Sequence, residues 1–471
     1  MSDLFLAIDN GSQSTKVAVI DRDGTVVASA RVPLRATVLG PGGRVQHPGD
    51  DVWDSIATAC RAVAQELGDR VRDIAAIGLC TIRFCRAYLD GAGRLTEPML
   101  SWMDARVSRG VTDLDPAVEW ITTSSGYITH RLTGRFVDTA GNYQGVWPID
   151  QSTWRWSADD AAFERTGMPR DILFALVDPG ALAGDLTANA AAATGLPAGL
   201  PVFTSSNDKA VEALGSGLLG PSAALLSLGT YIAAMIVADR PQELGDAGWR
   251  NFGAIPGQYL YESHGIRRGM WTASWFRELL GDGVTDEELG AEAELVPAGS
   301  GGLVAILDWL APTDAPYRRG ALLGFDGTQG RGAIYRALLE GIAFTMHGHL
   351  ARLIGALNVA PEYLIVSGGG SKSELMLQIV ANLAGIPAKR LAVPDAAGLG
   401  AAITAAVGVG AFPGWREAVA RMVHVDTVKV PTAAESAQYA ALAERYAQVT
   451  AYTDPLFRML SGDSPVPTPN N

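Results

Sequence analysis

The stretch LFLAIDNGSQSTKVAVID, residues 4–21, is the first strong pattern in the chain. Apolar runs of strand length stand on both sides of NGSQST, a turn that is rich in glycine and hydroxyl side chains. A short turn, RDG, and a further strand-like run, TVVASARV, follow. We therefore predict an antiparallel meander of three strands whose first turn carries hydroxyl groups.

The sequence around this meander predicts an α/β lobe, and a second lobe of the same kind. Residues 48–66 place apolar side chains at helical spacing, and IAAIGLC, residues 74–80, has the composition of a buried strand. A similar strand, glycine-hydroxyl turn and strand return in AALLSLGTYIAAMIVADRP, residues 223–241. Two such hairpins, one in each half, predict an internally duplicated architecture whose lobes face each other.

Composition limits the class of protein. A chain of 471 residues with 48% hydrophobic side chains can bury a large core and is too long for one ordinary domain. Its net charge of −13 argues against nucleic acid or an anionic membrane as the main partner. The three cysteines, Cys60, Cys80 and Cys85, do not suit a disulfide framework or a zinc ribbon. Since the N-terminal segment also lacks the pattern of a signal peptide, we expect a cytoplasmic protein.

The turn of the first hairpin has the chemistry of a phosphate-binding loop, although it lacks the GxxxxGK[ST] order of a P-loop. Gly11 lets the backbone turn closely, and Ser12, Ser14 and Thr15 offer hydroxyl and amide groups to phosphoryl oxygens. Asp9, at the end of the apolar strand, is a candidate to orient a magnesium ion through water. An ordinary hairpin with a polar tip is the alternative.

Two later glycine turns can likewise be interpreted either as phosphate-binding loops or as ordinary turns. The second hairpin carries Gly229 and Thr230 at its turn. In SGGGSKSE, residues 367–374, a strand leads through glycines into a helix, which places backbone N–H groups next to a bound anion. The absence of GxGxxG argues against a dinucleotide fold and favours a mononucleotide site at Gly368, Gly369 and Ser373. A loop whose glycines serve only packing is the alternative.

An acid stands at the start of a helix in SSNDKAVEALGSG, residues 205–217. Asn207 is a good N-cap, Asp208 in the first turn gains from the helix dipole, and Lys209 can pair with Glu212, so a purely structural role is one interpretation. Asp208 also lies where the first half of the chain meets the second. This position favours a carboxylate that faces the cleft between the lobes.

Eight segments in the same order resemble the FGGY carbohydrate kinases, members of the actin-like, sugar-kinase and heat-shock ATPase superfamily. The segments are AIDNGSQSTKVAVID, IGLCTIRFCRAYLD, LSWMDAR, YITHRLTGRFVDTAGN, SSNDKAVEALGSG, LSLGTYIA, YRALLEGIAF and YLIVSGGGSKSELMLQIVANLAGIP. The resemblance implies an α/β fold of two ribonuclease H-like lobes with a cleft between them. It also implies ATP and Mg²⁺ as cofactors, and phosphorylation of a sugar or polyol hydroxyl.

The resemblance further implies roles for individual residues. On the nucleotide side, it assigns magnesium to Asp9 and the adenosine to Gly369 and Ser373, with Gly320 as a further nucleotide-side glycine. It assigns the ATP phosphates to the two hairpins, at Gly11, Ser12, Ser14, Thr15, Gly229 and Thr230. On the acceptor side, Asp208 matches the catalytic base, Arg83 and Phe84 match sugar contacts, and Asp104 matches an acid that some members use on a sugar hydroxyl.

Departures from the family pattern bear on the acceptor. The segment after Arg106 is short, so the pocket is either more open or completed by another part of the chain. Lys209 follows the base where a neutral residue is usual, which makes it a candidate acceptor contact. Together with Arg83, Arg86 and the pair 267–268, it suggests an anionic acceptor such as a sugar acid. Surface arginines and a Lys209–Glu212 pair are the alternative.

The predicted enzyme uses ATP and magnesium to phosphorylate a small sugar or polyol, with a ketose or pentulose such as xylulose as the first choice. A kinase for an acidic sugar or a tetritol, and a non-catalytic sugar or nucleotide sensor on the same fold, are the alternatives. We predict a sugar-binding first lobe of residues 1–216, a nucleotide-binding second lobe of residues 217–461, and a disordered tail of residues 462–471. We expect no nucleic-acid or membrane partner, and a homodimer is possible.

Overall fold

The computed structural model describes residues 4–462, and nearly all of the predicted tail lies outside that range. Up to residue 215, the helices are α1 (Asp51–Leu67), α2 (Ser124–Thr133), α3 (Asp160–Thr166), α4 (Ala188–Thr194) and α5 (Asp208–Gly215). The strands of the same part are β1 (Leu4–Asn10), β2 (Ser14–Asp21), β3 (Val26–Pro33), β4 (Val38–Gly40), β5 (Arg44–Gln46), β6 (Ile74–Thr81), β7 (Ala87–Leu89), β8 (Trp120–Thr122), β9 (Val137–Thr139), β10 (Ile149–Asp150), β11 (Arg155–Trp156), β12 (Ala175–Val177), β13 (Leu182–Asp185) and β14 (Pro201–Thr204).

The first lobe is built on a six-stranded sheet in the order β13-β14-β6-β1-β2-β3. β1 pairs antiparallel with β2 and parallel with β6, and β2 continues antiparallel into β3, so the predicted meander is confirmed. Helix α1 buries Trp53, Ile56 and Cys60 in the same apolar cluster as the side chains of β1 and β2, as its helical spacing predicts.

The rest of the described chain forms the second lobe. Its helices are α6 (Gly269–Leu279), α7 (Asp286–Glu294), α8 (Arg331–Leu357), α9 (Glu374–Ala384), α10 (Ala396–Gly408), α11 (Trp415–Met422), α12 (Ala433–Tyr446) and α13 (Val449–Ser461). Its strands are β15 (Ala223–Leu228), β16 (Ile232–Ala238), β17 (Gly248–Phe252), β18 (Tyr259–Ser263), β19 (Val304–Ile306), β20 (Ala321–Leu323), β21 (Tyr363–Ser367), β22 (Ala388–Leu391) and β23 (Val425–Lys429).

The seven-stranded sheet of the second lobe repeats the pairing of the first. Its order is β17-β18-β16-β15-β21-β22-β23. β15 pairs antiparallel with β16 and parallel with β21, as β1 does with β2 and β6. The duplicated α/β architecture is therefore confirmed, while the boundary at residue 216 stays a prediction.

Helices α5 and α10 join the two lobes. An apolar cluster takes Phe5 and Cys80 from the first sheet, Leu225 and Ile365 from the second, and the buried faces of α5 and α10. The helices approach closely because glycines stand at the contact. A Cβ at Gly400 would lie 2.0 Å from the carbonyl oxygen of Val211, a separation that a methyl group cannot tolerate.

Gly400→Ala is expected to lower stability by about 2 kcal/mol, because the added methyl group meets the backbone of α5. Gly348→Ala is the matched control, since Gly348 lies in helix α8 and has nothing within 4 Å of its added Cβ. The control is expected to be neutral or stabilising by about 0.5–1 kcal/mol. Thermal unfolding of both variants checks the contrast, and equal melting temperatures would contradict the close contact.

Among residues 4–462, no helix combines the length and the apolar character that crossing a bilayer requires.

Candidate active site

The first hairpin turn leaves its tip open at the end of β1. The N–H of Gly11 donates to the carbonyl oxygen of Ser14 at 3.1 Å, which closes the turn, while Ser12 and Gln13 are exposed. The turn therefore presents Gly11 and Ser12 outward, as a phosphate-binding loop requires.

The other two predicted hydroxyl groups of this turn have partners within the lobe. The Oγ1 of Thr15 is buried, accepts from Asn10 Nδ2 at 2.7 Å and lies 2.6 Å from the Oγ of Ser55. The Oγ of Ser14 accepts from Arg31 Nε at 3.0 Å. The Thr15 hydroxyl thus holds β2 against α1, and its contact with a phosphate stays a prediction.

Asp9 shares a cation with an acid from the second half of the chain. Lys16 lies opposite Asp9 in the hairpin, and its Nζ is 3.3 Å from Asp9 Oδ2 and 3.3 Å from Oδ1 of Asp395, the N-cap of α10. Burial, and next the charge of Asp395, raise the pKa of Asp9 to about 7. Sequence analysis missed Lys16, although the hairpin pairing places it beside Asp9. It also missed Asp395, which only the fold brings there.

The second hairpin and the glycine turn meet each other. Gly368 has φ +80°, and a Cβ on it would lie 2.7 Å from the carbonyl of Leu228, the residue before Gly229. The carbonyls of Gly229 and Thr230 accept from the first N–H groups of α6. The structure thus brings together the two glycine turns on which the nucleotide-site prediction rests.

The remaining nucleotide-side residues have distinct surroundings. A Cβ on Gly369 would have nothing within 4 Å, so this backbone is open to a ligand. Ser373 is the N-cap of α9 and accepts from the N–H of Met376 at 3.1 Å. A Cβ on Gly320 would lie 2.3 Å from the ring of Trp309, so close packing accounts for that glycine, and its nucleotide role stays a prediction.

Asp208 stands at the first turn of α5, where Asn207 caps the helix by accepting from the N–H of Ala210 at 3.1 Å. The carboxylate lies 3.5 Å from Arg83 Nε, and it is partly buried. Burial raises the pKa of Asp208, while Arg83 and Lys209 act in the opposite direction. The helix start therefore fixes the carboxylate within the cleft, beside the predicted acceptor contact Arg83.

A second acid reaches Arg83 from the opposite lobe. Glu262 on β18 accepts from Arg83 Nη1 at 2.5 Å and from Nη2 at 2.9 Å, and it also accepts from Asn251 Nδ2. The Glu262 side chain is fully buried. Sequence analysis missed Glu262 and Asn251, because nothing local to β17 and β18 indicates that they face the loop after β6.

The other two predicted acceptor contacts differ in their exposure. Phe84 has φ +67° and is 37% exposed, with the Arg83 guanidinium 5.3 Å from its ring centroid, so it lies at an accessible position. Asp104 has a fully buried carboxylate that accepts from the N–H of Val45 at 2.8 Å and from Arg106 Nη2 at 2.9 Å. These partners hold Asp104 within the lobe, and its role as a sugar contact stays a prediction.

Lys209 forms an ion pair with Glu212. Its Nζ lies 2.8 Å from Oε2 of Glu212, and Glu212 also accepts from Ser227 and Ser367 at the ends of two strands of the second lobe. The side chains of the pair are only 19% and 14% exposed. The pair with Glu212, which was the alternative to an acceptor contact, is therefore present and largely buried between α5 and the second sheet, and an acceptor role for Lys209 stays a prediction.

Lys209→Met is expected to lower stability by about 3 kcal/mol, because it leaves Glu212 charged and largely buried without its cation. The double variant Lys209→Met/Glu212→Gln is expected to be more stable than the single one. Arg331→Met is the matched control, since the Arg331–Glu292 pair is 42% and 37% exposed and should contribute less than about 1 kcal/mol. Urea unfolding measures all three, and a Lys209→Met midpoint equal to that of the wild type would contradict this role.

The other basic side chains near the predicted acceptor site also have partners. Arg267 donates to the carbonyl of Ala311 at 2.9 Å, and Arg268 lies over the ring of Trp271 at 4.3 Å. Arg86 is buried and donates to two backbone carbonyls of the short segment after Arg106. Each of these basic side chains therefore already has a partner within the protein.

Asp9 is an acid of the first hairpin that fits a magnesium ion. Besides burial, the charges of Asp395 and Asp208 raise its pKa, and Lys16 lies 3.3 Å from both Asp9 and Asp395, so a divalent cation beside Asp9 would relieve the repulsion between these acids. Proteins often hold Mg²⁺ through one or two carboxylates together with substrate phosphates. Within residues 4–462, no three acidic, histidine or cysteine side chains form a ready metal cage.

The sequence matches the models of the FGGY family of carbohydrate kinases, with its N-terminal domain over residues 4–119 and 111–215 and its C-terminal domain over residues 224–409. The chain belongs to the FGGY family of carbohydrate kinases. An uncharacterized sugar kinase of Escherichia coli (strain K12), YgcE, is 40% identical over 465 residues, which cover 96% of this chain and 94% of that protein. This FGGY protein is thus a sugar kinase, and it uses ATP.

Solved structures confirm the fold of FGGY kinases. A xylulose kinase from Rhodospirillum rubrum superposes with a TM-score of 0.83 at 24% identity, over 96% of this chain and 99% of that one. A glycerol kinase from Plasmodium falciparum with ADP superposes with a TM-score of 0.81 at 17% identity, over 95% and 98% of the chains. The predicted fold, two α/β lobes of the actin-like ATPase kind, is therefore confirmed.

Proposed function

We propose that this FGGY kinase transfers the γ-phosphoryl group of ATP to a hydroxyl of a small neutral sugar or polyol, with Asp208 as the base. The observation that carries the proposal is the position of Asp208. Its carboxylate lies 3.5 Å from Nε of Arg83, and its charge contributes to the raised pKa of Asp9. A hydroxyl bound beside Asp208 would therefore lie between the acceptor contacts and the phosphate hairpin.

Asp208 supports this chemistry by accepting the proton of the acceptor hydroxyl as that oxygen attacks phosphorus. A sugar hydroxyl is a poor nucleophile, so a carboxylate within hydrogen-bond reach lowers the barrier. The cap by Asn207 and the ion pair with Arg83 hold the carboxylate in one orientation. Positioning and electrostatics supply most of the remaining rate enhancement in phosphoryl transfer.

The nucleotide would lie along the two hairpins and the glycine turn. The open tip at Gly11 and Ser12, the adjoining Gly229 and Gly368, and the ammonium group of Lys16 provide N–H donors and positive charge for phosphates. Asp9 would hold Mg²⁺, which neutralises charge on the phosphates when it is bound. In this proposal, residues 1–216 carry the acceptor side and residues 217–461 bind the nucleotide.

A neutral acceptor is supported by the partners of the basic residues. Arg83 binds Glu262 and Lys209 binds Glu212, so neither offers an uncompensated positive charge to a sugar acid. A ketose or pentulose such as xylulose is the acceptor we would test first. The net charge of −13 favours an enzyme without nucleic-acid or anionic-membrane partners. The free cysteines Cys60, Cys80 and Cys85 suit the reducing cytoplasm, and light scattering distinguishes a monomer from a homodimer.

A coupled assay of ADP release over a panel of pentuloses, hexuloses, tetritols and aldonic acids tests the proposal. We expect turnover well above background ATP hydrolysis with at least one neutral sugar or polyol. Turnover with aldonic acids alone would overturn the neutral acceptor. No turnover with any compound, while ATP still binds in calorimetry, would instead favour a sensor on this fold.

A further inference from the structure

Arg83 contacts two acids from different parts of the fold. Its Nη1 and Nη2 groups donate to the two oxygens of Glu262 at 2.5 and 2.9 Å, in a paired geometry that suits a guanidinium and a carboxylate. Its Nε lies 3.5 Å from Asp208 Oδ1. One cation therefore faces two carboxylates, and this group of three side chains carries a net charge of about −1 when both acids are ionised.

Glu262 is held firmly in this arrangement. It lies in β18, paired with β16 on one side and β17 on the other, and Asn251 of β17 donates to its Oε1. The side chain is fully excluded from solvent. A buried carboxylate without its cation is strongly unfavourable, so Glu262 and Arg83 remain paired.

The pairing with Glu262 neutralises the positive charge of Arg83 but uses only two of its N–H donors. A guanidinium has five N–H bonds, of which two donate to Glu262, and its Nε lies 3.5 Å from Oδ1 of Asp208. The second N–H bonds of Nη1 and Nη2 are not used by Glu262 and can serve a bound molecule. They suit the hydroxyl oxygens of a neutral sugar, whereas the carboxylate of a sugar acid would also meet the negative charges of Glu262 and Asp208.

We propose that Glu262 determines acceptor specificity by neutralising Arg83, so that the acceptor site binds neutral polyhydroxyl compounds and rejects their acid analogues. This inference rests on the proposed kinase function, and it assigns Glu262 a role that complements the base Asp208. Glu262 acts here as a specificity-determining residue, since Arg83 is the group that would touch the acceptor.

The test compares kcat/KM for two pairs of acceptors, D-xylulose with D-xylonate and D-fructose with D-gluconate. The wild type is expected to favour the neutral member of each productive pair by about 100-fold or more. Glu262→Gln removes the negative charge from Arg83 and is expected to reduce that preference at least about tenfold. A wild type that prefers the acid, or a folded Glu262→Gln variant with an unchanged preference, would overturn the inference.

Two further variants control the result. Glu97→Gln removes a negative charge from a partly exposed acid that pairs with Arg106, and it should leave the preference unchanged. Arg83→Gln/Glu262→Gln removes both charges, so it should retain the preference for neutral acceptors even if Glu262→Gln alone does not fold. A preference of the double variant for aldonates would contradict the inference.

The measurements distinguish a failure of the specificity proposed for Glu262 from a failure of the proposed kinase function. If the wild type phosphorylates none of the compounds, neutral or acidic, the kinase proposal for these acceptors fails. Calorimetric binding of the same two pairs then decides the specificity alone, with tighter binding of the aldonates overturning it.

Discussion

Asp208→Asn is expected to reduce kcat by about 10³-fold, because asparagine keeps the shape of the side chain but cannot accept the proton of the acceptor hydroxyl. The capping of α5 by Asn207 does not involve the Asp208 carboxylate, so the helix should form normally. The KM for ATP should change little, since the nucleotide would bind to the hairpins and the glycine turn. Steady-state kinetics with the best neutral acceptor, together with thermal unfolding, measure both effects.

Asp69→Asn is the matched control for this variant, because Asp69 is an exposed acid after α1 and lies outside the site. It should retain the activity of the wild type. If Asp208→Asn keeps more than about a tenth of the wild-type kcat, Asp208 is not the base.

Lys16→Met is expected to lower kcat/KM for ATP by at least about 100-fold. The ammonium group lies 3.3 Å from both Asp9 and Asp395, and it is the cation that pairs with these two acids. Without it, the two acids repel each other and the phosphates lose a positively charged partner. The loss should therefore appear mainly in kcat/KM for ATP, while the KM for the acceptor at saturating ATP changes less.

Two variants make this result specific to Lys16. Lys16→Arg preserves the charge and should recover part of the activity. Arg170→Met removes a cation that pairs with the exposed Asp160 in the first lobe, and it should leave ATP kinetics unchanged. Equal losses for Lys16→Met and Arg170→Met would show a general effect of net charge rather than a phosphate contact.

The parts of the fold that could be predicted from the sequence depend on local pattern. Both hairpins, α1 and the long helix α8 follow from alternation, helical spacing and glycine turns, because these signals determine which face of an element is buried. The hydroxyl groups were harder to assign. Thr15 belongs to the same turn sequence as Ser12, yet the alternation of the strand directs its side chain into the lobe.

The parts of the site that sequence analysis missed depend on contacts between distant segments. Glu262 meets Arg83 across 179 positions, and Asp395 meets Lys16 across 379. Neither acid stands in a motif of its own, so only the assembled lobes identify it. The burial of Lys209 could not be predicted for the same reason. The sequence indicates Glu212 as its partner, but the burial of the pair depends on Ser227 and Ser367 of the second sheet.

In the proposed reaction, a phosphoryl group passes from ATP to a neutral sugar hydroxyl beside Asp208. The most direct measurement is ³¹P NMR of the wild type incubated with ATP, Mg²⁺ and the best neutral acceptor of the panel. We expect the γ-phosphate signal to be replaced by a phosphomonoester signal and ADP in equal amounts, with no such change for Asp208→Asn over the same time. Release of inorganic phosphate in place of the ester, or an ester formed equally well by Asp208→Asn, would contradict this reaction.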